Sequence, residues 1–371
     1  MDQLLTEKKL RKPRILVTPL DWGLGHATRC IPVVRELLRQ GCDVWLAGEG
    51  AQQKLLQQEF PALPFLQLDG YRVHYAQSAV GLVLSIFRQT HKIYTAIRKE
   101  NAWLKKQMKE YGFDAVISDN RYGLYDKKIP CVFITHQLKI KSSLGKWIEK
   151  ILQRRNYLYI NRFAECWVPD NKGEKNLAGE LSRPEKKPAV PVHYIGWLSR
   201  MKKKNIQEQK KHLLILLSGP EPQRSILEDM IVEQIAHYNG TATVVRGLPV
   251  SLSMIPSANS IHFYNHLPAE ELNTEMEKAE FVIARSGYST VMDIIALQKK
   301  SILIPTPGQT EQEYLGKYLS EKQIIFCTGQ KKFSLQNALE KVKNFPYLLP
   351  EMDESKLSEV VSRFINSIKQ K

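Results

Sequence analysis

Three short segments of this 371-residue chain bring glycines, hydroxyls and ionisable side chains together at spacings that support chemistry. The first is Asp21-Trp-Gly-Leu-Gly-His26. Gly23 and Gly25 let a bulky ligand approach the backbone, and a helix starting here turns its positive end toward that ligand. His26 is then either a capping side chain or a general base facing a cleft. The segment is not the dinucleotide fingerprint. It reads G-x-G-H, and the next strand ends in Ala47-Gly48 with no acidic residue to hold a ribose. The second segment is Arg285-Ser-Gly-Tyr-Ser-Thr-Val-Met-Asp293. Gly287 permits a tight turn, and Ser289 and Thr290 fall in a first helical turn, where amides and hydroxyls stabilise a phosphate. Asp293 lies one turn beyond Ser289 on the same face and can accept hydrogen bonds from ribose hydroxyls. The plainer alternative is a Ser/Thr cap with a carboxylate offsetting the helix dipole. The third segment, Pro305-Thr-Pro-Gly-Gln-Thr-Glu-Gln-Glu-Tyr314, is a shaped loop in which Gln312 and Glu313 open a helix. Amides and carboxylates there suit sugar hydroxyls, or simply a polar loop.

The elements that must position these segments read as alternating strands and helices. Arg14–Thr18 and Val44–Ala47 are short apolar runs flanking a helical pattern over Ala27–Gln40, with Gly41 as its stop. Asp114–Ser118 and Pro130–Ile134 continue as buried parallel strands. Residues 196–211 are polar and lysine-rich, a linker with helical character. Alternation restarts with strands Leu213–Leu217, Thr241–Val245, Phe281–Ala284 and Ser301–Ile304, and helices Gln223–Tyr238, Tyr288–Ala296 and Gln312–Leu319. The fold class is therefore α/β, two successive doubly wound Rossmann-like domains, 1–200 and 212–350, joined by a linker at 201–211. A last amphipathic helix, in the segment 351–371, is expected to pack back on the first domain.

Composition narrows the class. Apolar residues make up 43% and charged residues 25%, an ordinary globular balance. Cys30, Cys42, Cys131, Cys166 and Cys327 show no CxxC spacing, which fits reduced, mostly buried thiols rather than disulfides or zinc. No signal peptide is expected, and the longest apolar stretch, Ala79–Phe87, is about half the ~20 residues needed to span a bilayer. The net charge of +16 is unevenly spread: residues 1–200 carry +14 and residues 201–371 only +2. Between Leu138 and Phe163 there are seven Lys/Arg and one Glu. A helix over 142–159 sets Leu144, Trp147, Ile148, Ile151 and Leu152 on one face, flanked by Lys146, Lys150, Arg154 and Arg155. Such a segment reads as an interfacial membrane contact or as a core face with solvated charge outside, and so does Ala79–Phe87 with Arg88 and Lys92.

Taken in order, G-L-G-H after a first strand, then RSGYSTVMD, then PTPGQTEQEY, the chain resembles the GT-B glycosyltransferases of family 28. One member of that family adds N-acetylglucosamine to an undecaprenyl-linked peptidoglycan precursor. The resemblance spans about Arg14 to Leu319. It implies two domains facing a deep cleft and transfer of a hexose, N-acetylglucosamine or another, from a UDP-sugar with inversion, with no bound metal and no cofactor. It implies a membrane-associated acceptor, such as a lipid-linked or envelope glycan, met by a cytoplasmic enzyme peripheral on the inner membrane face. His26 matches the family's proposed base, Thr290 a diphosphate contact, Asp293 a ribose-binding glutamate, Gln312 and Glu313 a sugar-reading Gln-Gln pair, and Tyr264 a position whose backbone reads uracil. Gly25, Arg285, Ser286, Gly287, Tyr288 and Ser289 complete the donor side.

Two departures matter. The family's glycine-rich loop opening the second domain is replaced by Leu217-Ser-Gly-Pro-Glu-Pro-Gln-Arg224, where Pro220 and Pro222 remove two donors. Ser218, Gly219 and Arg224 are the expected diphosphate contacts in its place. The other glycine-rich loop is replaced by Ser118-Asp-Asn-Arg-Tyr-Gly123. Asp119 is the second candidate base, expected to face the cleft, and Gly23, Asn120, His136 and Gln137 are expected to line the acceptor side. Two rival functions are a nucleotide-sugar 2-epimerase on the same fold and a basic membrane- or nucleic-acid-binding module. The first lacks its acidic catalytic set. The second lacks a recognisable helix-turn-helix, zinc finger or aromatic platform, so no nucleic-acid partner is expected.

Overall fold

The computed structural model describes residues 11–71, 79–249, 251–258 and 260–369, and for 79–91 only the course of the helix. In the first domain the elements are β1 (Arg14–Pro19), α1 (Leu24–Arg39), β2 (Asp43–Gly48), α2 (Gly50–Glu59), β3 (Phe65–Gln67), α3 (Ala79–Tyr111), β4 (Ala115–Asp119), β5 (Cys131–Ile134), α4 (Lys146–Ile160), β6 (Glu165–Val168) and β7 (Val192–Tyr194). The second domain has β8 (Gln209–Leu216), α5 (Gln223–Ile235), β9 (Thr241–Val245), β10 (Ile261–Tyr264), α6 (Ala269–Lys278), β11 (Ala279–Ala284), α7 (Tyr288–Ala296), β12 (Ser301–Leu303), α8 (Thr310–Glu321), β13 (Phe326–Cys327) and α9 (Leu335–Val342). Helix α10 (Ser355–Lys369) follows. Among the described residues the strands form two sheets, ordered β3-β2-β1-β4-β5-β6-β7 and β10-β9-β8-β11-β12-β13. Every strand pair is parallel. In each sheet the order reverses beside the central strand, where ligands of doubly wound folds bind.

The central strands are apolar on both faces because helices cover both. Ile15, Leu16 and Val17 of β1 and Val132, Phe133 and Ile134 of β5 are fully buried. Helix α1 begins at Leu24, three residues earlier than its apolar pattern suggests, because Gly23 at φ 75° turns the chain into it. It ends at Gly41, φ 82°, whose amide and that of Cys42 return to Leu38 and Leu37. The residues between the domains are not helical. Asn273 and Glu277 of α6 capture the amides of Lys202, Lys204 and Ile206, drawing the segment out as an extended strap, and β8 starts by Gln209.

Helix α10 does pack back on the first domain. Val361, Phe364 and Ile365 are buried, Phe364 meets Trp167 edge-on at 5.4 Å, and Arg363 pairs with Glu165 at 2.8 Å. One apolar cluster runs through both domains by way of α1, α7 and α10. The five cysteines are free thiols, and all but Cys327 are buried.

The loop after β4 is fixed by a buried ion pair. Arg121 donates to Glu100 of α3 at 2.6 Å and to the Pro19 carbonyl at 3.3 Å, while Glu100 accepts from Tyr71 Oη and the Gly123 amide. A side chain at Gly123 would strike the Ile97 carbonyl, so glycine is required there. Burial raises the Glu100 carboxyl above its ordinary value, with Arg121 opposing.

Candidate active site

Adjacent strands β1, β4 and β5 deliver three distant segments to one place at their carboxyl ends: the 20–26 loop, Asp119, and Thr135–Gln137. His26 stands in the first turn of α1, and Arg29 follows one turn later on the same face. Asp119 is fully buried. Its Oδ1 lies 2.7 Å from His26 Nδ1, and its Oδ2 accepts from Arg29 Nε at 2.6 Å. Burial alone would raise this carboxyl, but Arg29 and His26 bring it down to about 2. The expectation that Asp119 faces the cleft is thus corrected. It stands behind His26, whose side chain keeps 18% exposure and whose Nε2 has no hydrogen-bond partner among the described residues.

His136 is buried beside this group. Arg29 Nη1 donates to its Nδ1 at 3.1 Å, and its Nε2 donates to Glu311 at 2.6 Å across the domain seam. That is a consistent neutral tautomer, and burial depresses the His136 imidazolium. Gln137 Nε2 also donates to Glu311. His136, which donates to it, and more weakly His26 and Arg29 hold the Glu311 carboxyl below its ordinary value against the effect of burial. Asn120 adopts φ 57°, a left-handed geometry that asparagine tolerates, with its amide on the Ile134 carbonyl. Gly23 lines a cavity of about 340 Å³ with Asp21, Leu24, Glu49, Gly50, Ala51 and Gln52.

From the second domain, the N-terminus of α7 abuts that of α1. Ser289 Oγ donates to the Gly25 carbonyl at 2.8 Å, and a Cβ on Gly25 would lie only 3.1 Å from Ser289 Oγ. The Tyr288 ring stacks on His136 at 4.2 Å and 11°, with its hydroxyl on the Pro169 carbonyl. Gly287 is the N-cap, and Thr290 sits half-buried in the first turn. Arg285 is buried without a carboxylate. It donates to Gln330 at 2.7 Å and to the Gln223, Ile304 and Pro305 carbonyls, and its Nε finds no acceptor. Burial lowers it to about 10.

Several expected donor residues serve other partners. Arg224 pairs with Glu221 at 2.5 Å and Glu228 at 3.2 Å, so its charge is spent inside its own domain. Ser286 is buried and donates to the Gln312 carbonyl. Gln312 closes its loop on the Thr306 amide, and exposed Glu313 accepts from the Gly308 amide. The carboxylate reaching His136 and Gln137 is Glu311, two residues before Glu313. Ser218 and Gly219, φ 102°, stay exposed at the end of β8, and Tyr264 is exposed at the end of β10. Asp293 accepts from Ser199 Oγ of the interdomain strap at 2.6 Å, and burial raises its carboxyl to about 6 despite nearby Arg200. Sequence reasoning missed Arg29, Glu311, Ser199 and Arg200. The one local signal was Arg29, three residues after His26.

Helix α4 turns its apolar stripe outward. Trp147 is 72% and Leu158 68% exposed, and Leu144 and Ile151 lie with them. Lys146, Lys150, Arg154 and Arg155 are exposed alongside. Ile148 and Leu152, expected on the same face, turn inward and are half-buried. The other apolar run, Ala79–Phe87, has side chains outside the described residues. No described helix is long and apolar enough to cross a membrane. Among the described residues, no group of three or more His, Cys, Asp or Glu side chains is placed to hold a metal ion.

Two doubly wound domains whose strand ends face one another across a histidine–carboxylate group make the GT-B fold. Solved structures share this fold: the calicheamicin glycosyltransferase CalG4 (TM-score 0.58, 13% identity, 97% of this chain and 95% of that one) and the MurG of Acinetobacter baumannii (TM-score 0.51, 13% identity, 97% and 95%). Residues 258–367 match the glycosyltransferase family 28 C-terminal domain. The UDP-N-acetylglucosamine–N-acetylmuramyl-(pentapeptide) pyrophosphoryl-undecaprenol N-acetylglucosamine transferase of Actinobacillus pleuropneumoniae is 25% identical over 332 residues, 85% of each chain. An uncharacterized glycosyltransferase of Methanosarcina acetivorans is 21% identical over 322 residues, 81% of each. The chain is a hexosyltransferase similar to these transferases, and its match to family 28 covers the C-terminal domain.

Proposed function

We propose that this enzyme moves a hexose from a UDP-sugar to a membrane-associated, lipid-linked or envelope glycan acceptor, with inversion and without a bound metal. The observation that supports it most is the His26–Asp119 pair opposite the N-terminus of α7. His26 Nε2 takes the proton of the acceptor hydroxyl as that oxygen attacks the anomeric carbon. Asp119 orients the imidazole and is not itself the base. The departing diphosphate gathers charge where the α7 amides at Ser289 and Thr290 and the Arg285 guanidinium stabilise it. Asp293 takes the ribose and the backbone at Tyr264 the uracil, while Glu311 rather than Glu313 reaches the sugar. His136 and Gln137 border the acceptor.

The stripe of α4 favours a cytoplasmic enzyme peripheral on an anionic inner membrane face, where Leu144, Trp147, Ile151 and Leu158 enter the interface and the flanking cations meet headgroups. The donor and acceptor named for the Actinobacillus relative fit this reading. It is tested with His26→Asn and a panel of nucleotide sugars. UDP-sugars are expected to raise the melting temperature of both proteins. Transfer to a polyprenyl-linked sugar is expected to fall at least ~100-fold in the variant. Equal loss of binding and transfer would remove His26 from the base role.

A further inference from the structure

We infer that Arg29 is a positioning residue for the transfer: its guanidinium locks Asp119 so that one carboxylate oxygen fixes His26 in the Nδ1–H form and leaves the Nε2 lone pair free for the proton of the acceptor hydroxyl. This rests on the reading of His26 as the base.

The geometry poses a conflict that has one consistent solution. His26 Nδ1 lies 2.7 Å from Asp119 Oδ1 and 2.8 Å from Arg29 Nη2. A guanidinium only donates and an ionised carboxylate only accepts, so Nδ1 serves one or the other. If Nδ1 accepted from Arg29, the proton would sit on Nε2 and no lone pair would face the cleft. If Nδ1–H donates to Asp119, Nε2 is a free base. Arg29 does not need Nδ1. Its Nη2 finds Asp119 Oδ1 at 2.5 Å, its Nε finds Oδ2, and its Nη1 finds His136 Nδ1. The 2.8 Å contact is then two donors converging on one oxygen.

The charges bear on the same atom. The groups facing His26 are Asp119 at the end of β4, Arg29 on its own helix, His136 after β5 and Glu311 from α8. In the transfer, the acceptor O–H bond breaks and its proton goes to Nε2. The acceptor oxygen bonds the anomeric carbon, and the bond to the diphosphate breaks with its electron pair leaving on the diphosphate. Nδ1–H stays on Asp119 throughout.

Long-range proton–nitrogen NMR of the full chain, with the His26 signals assigned by their loss in His26→Asn, reads the tautomer without substrate. The expected result is that the neutral ring carries its proton on Nδ1. A neutral ring protonated at Nε2 would overturn the inference even if no Arg29 variant folds. In Arg29→Met, which frees the Asp119 carboxylate, a measurable share of the His26 ring should shift to the Nε2–H form, and kcat should fall roughly 10-fold or more while the donor KM stays near wild type. Arg29→Lys, which keeps a cation on Asp119, should restore the tautomer and kcat in part. A folded Arg29→Met with an unchanged tautomer would reduce Arg29 to a packing role. Full transfer by His26→Asn would refute the base reading separately, leaving the tautomer result standing.

Discussion

Asp119→Asn isolates the buried carboxylate on which the site depends. In the folded protein this group is fully buried and its carboxyl falls from an ordinary 3.8 to about 2. That difference corresponds to about 2.5 kcal/mol of stability. The sign follows from the depressed value. The contribution is complete above about pH 4, where the unfolded chain is ionised, and is lost as pH falls toward 2. Substitution also leaves Arg29 buried without its partner, which costs about 3–5 kcal/mol when one half of a buried pair is removed. At neutral pH we therefore expect a loss of about 2.5–5 kcal/mol in urea unfolding, shrinking as pH falls toward 2, where the wild-type carboxyl is half protonated. The asparagine amide can donate to Nδ1, driving the His26 proton onto Nε2, so kcat should fall by ~10²–10⁴ even in the fraction that stays folded. Parallel unfolding curves at neutral pH and at pH 2.5, with transfer assayed at neutral pH, check both parts. A variant within about 0.5 kcal/mol of wild type at both pH values, with unchanged kcat, would refute the reasoning.

Three further outcomes follow from other parts of the molecule. The Asp293 carboxyl, raised to about 6, opposes folding as pH climbs from about 4 to 6. Asp293→Asn should therefore add roughly 1–3 kcal/mol to stability at pH 8 and nothing near pH 3, while weakening UDP binding by calorimetry roughly 10–100-fold. Phe364→Ala, which empties the contact with Trp167, should cost about 3–5 kcal/mol by denaturant unfolding, and a loss below ~1 kcal/mol would mean that α10 is not anchored there. Neutralising Lys146, Lys150, Arg154 and Arg155 should weaken co-sedimentation with anionic vesicles by up to ~10³-fold at low salt, from about 1 kcal/mol per charge, and unchanged binding would return α4 to an ordinary surface helix.

The parts of this structure that were legible in the sequence are those whose cause is local. Strands β1, β4 and β5 are unbroken apolar runs, and α7 occupies the span its glycine, hydroxyls and apolar spacing indicate. Strands β3, β7 and β13 were not legible, since two or three residues leave no period to count. The lysine-rich strap looked helical because its composition favours helix, and α6 side chains taking its amides override that preference. Arg29 went unnoticed in the sequence. Its burial depends on Asp119, 90 residues away, which no local pattern encodes. Glu311 was missed by two residues, Glu313 being the carboxylate expected. The helix starts at Thr310, so the carboxylate that crosses the seam is Glu311, and Glu313 folds back on Gly308.

The positive charge of the first domain divides by the same logic. Much of it is answered within the domain: Arg14 by Asp43, Arg29 by Asp119, Arg35 by Glu59, Arg121 by Glu100, and Lys139 and Lys141 by Glu180. The four cations of α4 have no carboxylate partner among the described residues, and they flank its only outward apolar stripe among those residues. That helix is also tied to the site. Asn156, buried on its inner face, donates to the Gln137 carbonyl at 3.1 Å and accepts from Tyr122 Oη at 2.8 Å. The face proposed to meet lipid and the loop proposed to border the acceptor are therefore joined by one buried amide. A substitution there, such as Asn156→Leu, should raise KM for a lipid-linked acceptor more than for a soluble analogue, while donor binding stays near wild type. An equal rise for both acceptors would show that α4 supports the cleft without presenting lipid to it.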